Sequence, residues 1–208
     1  MKINNPLDKI LDNEAKVKIL RFLFKTNAEW NGRQIAKEIG VTPATAHKAL
    51  QALNKEGVLL LRNMGKTHIY TLNQGNFTIS DMLEPLFARE EEVMGRIINV
   101  IRKRVAASDI RRDLVSVALF GSVSLRREHS ASDIDVVVII KDSKSKTKAR
   151  LFFEDVDKKI ADVFGNTLSP YINTESEFKA KHKKGLAVIN NILKSNKLIY
   201  GKELERII

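Results

Sequence analysis

Cysteine is absent from this chain of 208 residues. Its absence excludes disulfides and thiolate metal sites, and it fits a reducing cell interior. No apolar run is long enough to span a bilayer, and the opening MKINNPLDKI lacks the apolar core of a signal peptide. A Gly-x-x-x-x-Gly-Lys-[Ser/Thr] stretch is also missing, which argues against a P-loop. We therefore expect a cytoplasmic protein with no membrane segment.

Negative charge is scarce relative to positive charge. The chain has 25 Asp and Glu against 36 Lys and Arg, a formal net charge of +11. This excess favours a polyanionic partner, such as nucleic acid, or phosphorylated substrates, with plain solubility as the alternative. The composition, 43% hydrophobic and 29% charged, predicts a packed protein rather than a disordered one.

Residues 8–73 carry a helical pattern followed by a strand pattern. EAKVKILRFLF has helical apolar spacing after Asn13, a candidate N-cap. RQIAKEIG predicts a second helix, and VTPATAHKALQALNKEG predicts a third helix with Thr42 as N-cap and Pro43 in its first turn. VLLLR and THIYTL predict a hairpin whose turn contains Gly65.

This order of helix, helix, turn, helix and hairpin resembles winged-helix transcription regulators over about the first third of the chain. The resemblance implies that the third helix enters the major groove of DNA and that the hairpin reaches phosphates or the minor groove. It also implies a homodimer, since such regulators bind two half-sites. A protein-interaction module is the alternative. The candidate DNA-binding residues are Arg33, Thr42, Thr45, His47, Lys48, Gln51, Arg62 and Lys66, with His68 next to them.

A long helical pattern at 77–107, interrupted at Pro85, separates this block from a second one. Such a helix either packs as a scaffold between domains or forms a dimer interface. From residue 113, DLVSVALF, DIDVVVII and LSPYIN predict three strands, and TKARLFFEDVDKKIADVFG predicts a helix between the last two. Two further helices, over ESEFKAKHKK and GLAVINNILKSNKLIYG, are expected to close a small α/β sheet.

Asp133 and Asp135 lie one residue apart at the start of the second of these strands. Strand alternation puts both carboxylates on one face and Ile134 on the other. Two such carboxylates repel each other unless a cation lies between them, and Mg²⁺ prefers oxygen ligands of this kind. Gly121 lets the backbone approach a ligand closely, and Ser122 offers a hydroxyl near a helix start that can hold phosphate oxygens.

The pattern of Gly-Ser, ten residues and Asp-x-Asp between two apolar strands closely resembles the nucleotidyltransferase superfamily, which includes DNA polymerase β-like and minimal nucleotidyltransferases. The resemblance implies transfer of a nucleoside monophosphate from a nucleoside triphosphate to a hydroxyl, with Mg²⁺ or Mn²⁺ as cofactor. It makes Asp133 and Asp135 the catalytic metal ligands. The implied nucleotide-binding residues are Gly121, Ser122, Arg126 and Arg127. For the two arginines, a solvent-exposed basic loop is the alternative.

The family places a third carboxylate on a neighbouring strand, but LSPYIN at 168–173 has no Asp or Glu. Ser169 or Asn173 then takes its place, or Glu175 or Glu177 substitutes from just beyond the strand. Three functions therefore stay open: an active transferase, a regulator that binds nucleotide or metal without turnover, and an adaptor of protein contacts. Because minimal relatives act as antitoxins, a toxin-like protein acceptor is implied beside antibiotics and nucleic-acid ends.

Taken together, the sequence predicts an α+β protein of two domains. A winged helix-turn-helix covers 1–76, a helical connector 77–108, and a small mixed α/β nucleotidyltransferase fold 109–208.

Overall fold

The computed structural model describes residues 3–121 and 133–208. The chain divides into two compact units, Met1–Glu92 and Val93–Ile208. Both contain helices and a sheet, so the predicted α+β class is confirmed.

The first unit holds three α-helices and a three-stranded antiparallel sheet of order β1-β3-β2. The helices are α1 Glu14–Thr26, α2 Gly32–Glu38 and α3 Pro43–Lys55, after a 3-10 turn at Pro6–Lys9. The strands are β1 Trp30–Asn31, β2 Leu59–Met64 and β3 Thr67–Leu72. The predicted order of helices and hairpin is present. The short strand β1, which pairs Trp30 with Tyr70, carries no sequence pattern and was not predicted.

Local signals account for the helix starts in this unit. The Asn13 side chain accepts a hydrogen bond from the Lys16 backbone N–H at 3.0 Å, and Thr42 caps α3 with Pro43 in the first turn. Asn31 and Gln34 form a capping box at the start of α2. The core is built from the apolar faces of the helices and the hairpin, among them Ile19, Leu20, Leu23, Ile35, Leu50, Leu53 and Leu59.

A long helix, α4, spans Glu84–Ala107 and follows a π-helical turn at Thr78–Leu83. The helical run changes type beside Pro85, because the π-helical turn ends at Leu83 and α4 begins at Glu84. Proline lacks the N–H that would bond to the preceding turn, so the regular α-helix is interrupted at Pro85 as predicted. The first turns of α4 bury Phe87 in the core of the first unit, and its later turns bury Ile97 and Ile101 in the core of the second.

The second unit holds a mixed four-stranded sheet of order β6-β5-β4-β7. Its strands are β4 Leu114–Leu119, β5 Ile134–Ile140, β6 Leu168–Thr174 and β7 Lys197–Gly201. The helices that follow α4 are α5 Lys146–Phe164, α6 Glu175–Lys183 and α7 Ala187–Lys194, with 3-10 turns at Asp109–Arg112, Ser143–Ser145 and Leu204–Arg206. β5 and β6 are parallel, and the other two pairs are antiparallel.

Alternation along β5 divides the apolar residues of this unit between two cores. Val136 and Val138 lie in one core with Phe153 of α5. Val137 lies in the other core with Phe178 of α6. The sheet is therefore covered on both faces, as its near-continuous apolar strands require.

The helix predicted over GLAVINNILKSNKLIYG is wrong at its end. α7 stops at Lys194, and Lys197–Gly201 pairs with β4 as an edge strand. Main-chain hydrogen bonds to β4 make this segment a strand rather than a helix. The local spacing of apolar residues gives no information about that pairing. Among the described residues, no helix is long and apolar enough to cross a membrane.

Candidate functional site

The two aspartates lie at one end of the sheet of the second unit, where β4 ends and β5 and β6 begin. The Phe120 N–H donates to the Asp135 carbonyl oxygen at 3.0 Å, which brings the end of β4 beside Asp135. The Ile134 N–H donates to the Thr167 carbonyl oxygen at 2.8 Å, and Asp135 is in register with Ser169. Three chain segments therefore converge on the aspartates.

Asp133 directly precedes β5 and Asp135 is its second residue, but their surroundings differ. Asp133 is exposed, whereas Asp135 is half-buried. Burial raises the pKa of the Asp135 carboxyl, and the nearby negative charge of Asp133 raises that pKa further. A cation bound between the two carboxylates would relieve both effects, because it stabilises the ionised form of each.

Gly121 lies against the Asp135 carboxylate. Its φ of 80° belongs to the left-handed region that glycine adopts without strain. A Cβ at this position would stand 2.2 Å from Asp135 Oδ2 and 3.0 Å from Asp135 Cγ, so no larger residue fits without moving the carboxylate. The glycine therefore lets the backbone run directly beside one of the two candidate ligands.

Thr167 is a site residue that the sequence analysis missed. Its hydroxyl donates a hydrogen bond to Asp133 Oδ1. The next residue, Leu168, donates its N–H to Oδ1 of Asp157 on α5 at 2.6 Å, which anchors this segment to the helix. Only the parallel pairing of β5 with β6 places Thr167 beside Asp133, so no local sequence signal could have identified it.

Of the residues predicted for the third position, Ser169 lies beside Asp135 in the sheet. Ser169 is exposed and in register with Asp135, so their side chains project from the same face of the sheet. Asn173 is fully buried and accepts a hydrogen bond from the Lys181 ammonium. Within residues 3–121 and 133–208, no group of three or more His, Asp or Glu side chains could hold a metal ion.

Glu175 and Glu177 lie at the opposite end of β6. Thr174 is in register with Ile140, five residues along β5 from Asp135. At about 3.3 Å per residue, this separation is roughly 16 Å. Glu177 completes the N-terminal capping box of α6 and pairs with Lys146 at 2.6 Å, while Glu175 pairs with Lys179 at 3.2 Å. These contacts hold both glutamates away from the two aspartates.

The two remaining candidate ligands, the carboxylates of Asp133 and Asp135, fit one small divalent cation. Mg²⁺ is commonly held by one or two carboxylates, with water and substrate phosphate oxygens completing its octahedron. Asp133 and Asp135 would provide that protein share, and the exposure of Asp133 leaves room for the other ligands. Three of the predicted nucleotide-binding residues, Ser122, Arg126 and Arg127, lie outside the described residues.

All eight predicted DNA-binding residues are exposed in the first unit. Two of them also build the start of α3: the Thr42 and Thr45 hydroxyls lie 2.9 Å apart, and Thr42 accepts from the Thr45 N–H. Lys48 and Gln51 lie opposite the buried face of α3 and are free of side-chain bonds to other described residues.

A cavity of about 540 Å³ joins residues from α2, α3 and the hairpin. The basic and imidazole side chains that line it are Arg33, His47, Lys66 and His68. Arg62 is not among them. It alternates to the other face of the hairpin and forms an ion pair with Glu29. The structure thus brings three of the predicted DNA-binding residues together and sets Arg62 apart.

The positive charge of the chain is concentrated in the second unit. Residues 1–92 hold 13 Lys and Arg against 11 Asp and Glu, whereas residues 93–208 hold 23 against 14. In the basic stretch KAKHKKG at 179–185, the Lys181 ammonium donates to the Tyr171 hydroxyl at 2.9 Å. The charge excess that suggested a polyanionic partner therefore belongs mainly to the unit that carries the aspartates.

Two family models match the chain. Residues 16–69 match an HTH domain, and residues 104–205 match "Polymerase beta, Nucleotidyltransferase". The chain therefore carries an HTH DNA-binding domain followed by a nucleotidyltransferase domain, as the resemblance implied. No curated protein matches the chain.

Several solved structures are similar to parts of the chain. HlyU from Vibrio cholerae is 20% identical over 45% of this chain and 97% of its own, with a TM-score of 0.36. A homodimeric winged helix-turn-helix DNA-binding domain from Mycobacterium bovis is 21% identical over 45% of this chain and 90% of its own, with a TM-score of 0.35. A complex of tri-AMPylated HEPN toxin with MNT antitoxin from Shewanella oneidensis is 16% identical over 54% and 72%, with a TM-score of 0.30.

Proposed function

We propose that the nucleotidyltransferase domain transfers a nucleoside monophosphate from a nucleoside triphosphate to a hydroxyl acceptor, and that the HTH domain binds DNA as part of a homodimer. The observation that carries the transfer is the geometry at the end of β4. There the Gly121 backbone lies against the Asp135 carboxylate, and the negative charge of Asp133 acts on Asp135 from nearby. This arrangement supports a cation shared by two carboxylates beside the Gly121 backbone.

The reaction needs neutralised phosphates and an aligned acceptor. A divalent cation held by Asp133 and Asp135 would neutralise the triphosphate and the leaving pyrophosphate. The acceptor oxygen would form a bond to the α-phosphorus as the bond from that phosphorus to the bridging oxygen breaks. Because Ser169 stands where a third carboxylate would serve as base, the acceptor proton would pass to water.

The chain's own residues would orient these groups. The Thr167 hydroxyl holds one oxygen of Asp133 and leaves the other for a ligand. Asp157 anchors the segment that carries Thr167 through the Leu168 N–H. Half-burial of Asp135 lowers the local dielectric, so its carboxylate would attract a cation more strongly than an exposed aspartate does.

The acceptor would be negatively charged. The second unit has 23 Lys and Arg against 14 Asp and Glu, which favours a nucleic-acid end or an acidic protein surface over a neutral small molecule. If the chain is an antitoxin, its acidic protein acceptor would be a toxin-like partner.

Label transfer tests the proposed reaction. The full chain is incubated with each α-³²P-labelled nucleoside triphosphate, Mg²⁺ or Mn²⁺, and total nucleic acid or total protein as acceptor. We expect label on one acceptor class and equimolar pyrophosphate, with both lost in Asp133→Asn and Asp135→Asn. If the unaltered chain binds nucleotide and metal but labels neither class, the transfer reaction is refuted.

Binding without turnover is the second candidate function, and Ser169 favours it. A site with two carboxylates can still hold Mg²⁺ and nucleotide while lacking the base for transfer. The HTH domain would then make the chain a regulator that senses nucleotide. In that case nucleotide with Mg²⁺ would change the DNA affinity of the full chain, and no pyrophosphate would appear in the label-transfer assay.

A further inference from the structure

The cavity of about 540 Å³ in the first unit is lined by four side chains that are cationic or can become so. Arg33 comes from α2, His47 from α3, and Lys66 and His68 from the hairpin. Because three separate elements supply them, their convergence is a property of the fold rather than of one basic stretch.

None of these four side chains has a hydrogen bond or an ion pair with another described residue. Some cations elsewhere on this unit are paired, namely Arg62 with Glu29, Lys18 with Glu14, and Arg21 with Glu90, whereas others such as Lys48 have no pair among the described residues. Four unpaired groups around one cavity repel each other as they become charged, and an anion placed between them would relieve that repulsion.

Among the residues that the structure describes, no carboxylate lines the cavity. The remaining lining residues are neutral: Asn31, Gly32, Pro43, Thr67 and Tyr70. Burial raises the pKa of the Tyr70 phenol, so this group carries no negative charge near neutral pH. The cavity therefore offers donors and positive charge but no competing anion. Its volume far exceeds the roughly 30 Å³ of one water, so a solvated phosphate group fits.

We propose that this cavity binds a backbone phosphate of duplex DNA, and that His47 and His68 bind it as cations together with Arg33 and Lys66. This site deepens the DNA binding of the HTH domain and is independent of the transferase reaction. A phosphodiester is the ligand that fits, because it brings negative charge and acceptor oxygens to a cavity that has donors from three sides.

The two histidines would make DNA binding at this site depend on pH. Histidine changes its charge between about pH 5 and pH 8. A phosphate bound beside a protonated imidazole stabilises that proton, so DNA binding would take up protons and DNA affinity would rise as the pH falls. A rise of one unit in the pKa of one imidazole on DNA binding would correspond to about a tenfold change in affinity.

The test measures DNA affinity of the full chain by fluorescence anisotropy, with a labelled duplex of about 30 base pairs and arbitrary sequence. Phosphate contacts do not require a specific sequence, so this probe suffices. We expect the affinity to rise by about tenfold or more between pH 8 and pH 5.5. In His47→Gln with His68→Gln the rise should fall to about twofold or less, while His182→Gln, in the other unit, should keep it.

A salt series separates the cavity from the rest of the basic surface. Arg33→Ala and Lys66→Ala should each reduce the slope of log affinity against log salt by about one, the loss of one phosphate contact. Lys25→Ala removes the same charge from the last turn of α1, outside the cavity and outside the predicted DNA-binding residues, and should leave the slope unchanged. Melting curves establish that each variant is folded.

The outcomes separate this proposal from DNA binding itself. If the duplex binds but the double histidine variant keeps the full pH dependence, or if Lys25→Ala lowers the slope as much as Lys66→Ala, the phosphate cavity is refuted and DNA binding stands. If the duplex binds at no salt concentration, both fail.

Discussion

Replacement of Gly121 by alanine perturbs the aspartate site with a single methyl group. The new Cβ would lie 2.2 Å from Asp135 Oδ2, whereas ordinary contacts begin near 3.4 Å. The carboxylate must therefore retreat by about 1 Å, a large displacement for a ligand of Mg²⁺ or Mn²⁺, whose bonds to oxygen are about 2.1 Å long. We expect Gly121→Ala to raise the dissociation constant for Mn²⁺ by about 10- to 100-fold, the range in which loss of a positioning partner weakens metal sites.

The left-handed backbone at Gly121 adds a stability cost that a control must remove. Alanine in this conformation costs about 1–2 kcal/mol. Gly165 has a similar φ of 74°, but no atom lies within 4 Å of its would-be Cβ. Gly165→Ala should therefore lose similar stability and keep the Mn²⁺ affinity of the unaltered chain.

The assay is isothermal titration calorimetry with Mn²⁺ on the full chain, beside thermal unfolding of both variants. Equal Mn²⁺ affinity in Gly121→Ala and Gly165→Ala would refute the assignment of Asp135 as a ligand held against Gly121.

Three further predictions concern the same site. Thr167→Val should weaken Mn²⁺ binding several-fold, because it removes the hydroxyl that orients Asp133, while Thr167→Ser should restore it; equal titrations for the two variants would exclude a positioning role. Ser169→Asp should strengthen Mn²⁺ binding by about tenfold, since it places a third carboxylate in register with Asp135; unchanged affinity would show that Ser169 is not the third position. Because the pKa of Asp135 is raised in the folded chain, the stability this group provides is present below its ordinary value of 3.8 and is lost as the pH rises through the raised value. Without metal, Asp135→Asn should therefore raise the melting temperature at pH 7, and this gain should shrink toward pH 4. A gain independent of pH would show that burial and the charge of Asp133 do not raise the pKa of Asp135.

The sequence predicted features that depend on neighbours along the chain. Asn13 and Thr42 cap their helices through residues three positions away, so their roles are visible without a structure. Strand alternation alone led to the prediction that Asp133 and Asp135 share one face, and the Gly-Ser to Asp-x-Asp spacing indicated the nucleotidyltransferase fold. The family match to residues 104–205 confirms that fold.

Features that depend on pairing between distant segments could not be predicted. Thr167 reaches Asp133 only because β5 and β6 are parallel in one particular register. The same register excludes Glu175 and Glu177 by placing them at the far end of β6. Strand β7 forms because it can pair with the edge of β4, although the sequence of β7 continues a helical pattern. In each case a tertiary hydrogen-bond ladder decides the outcome.

The most direct test of the proposed site is a crystal of the full chain grown with Mn²⁺ and a non-hydrolysable nucleoside triphosphate analogue, measured at the manganese absorption edge. We expect an anomalous peak about 2.1 Å from carboxylate oxygens of both Asp133 and Asp135, with triphosphate oxygens beside Gly121. Nucleotide bound elsewhere, or bound here with no manganese between the two aspartates, would contradict this expectation.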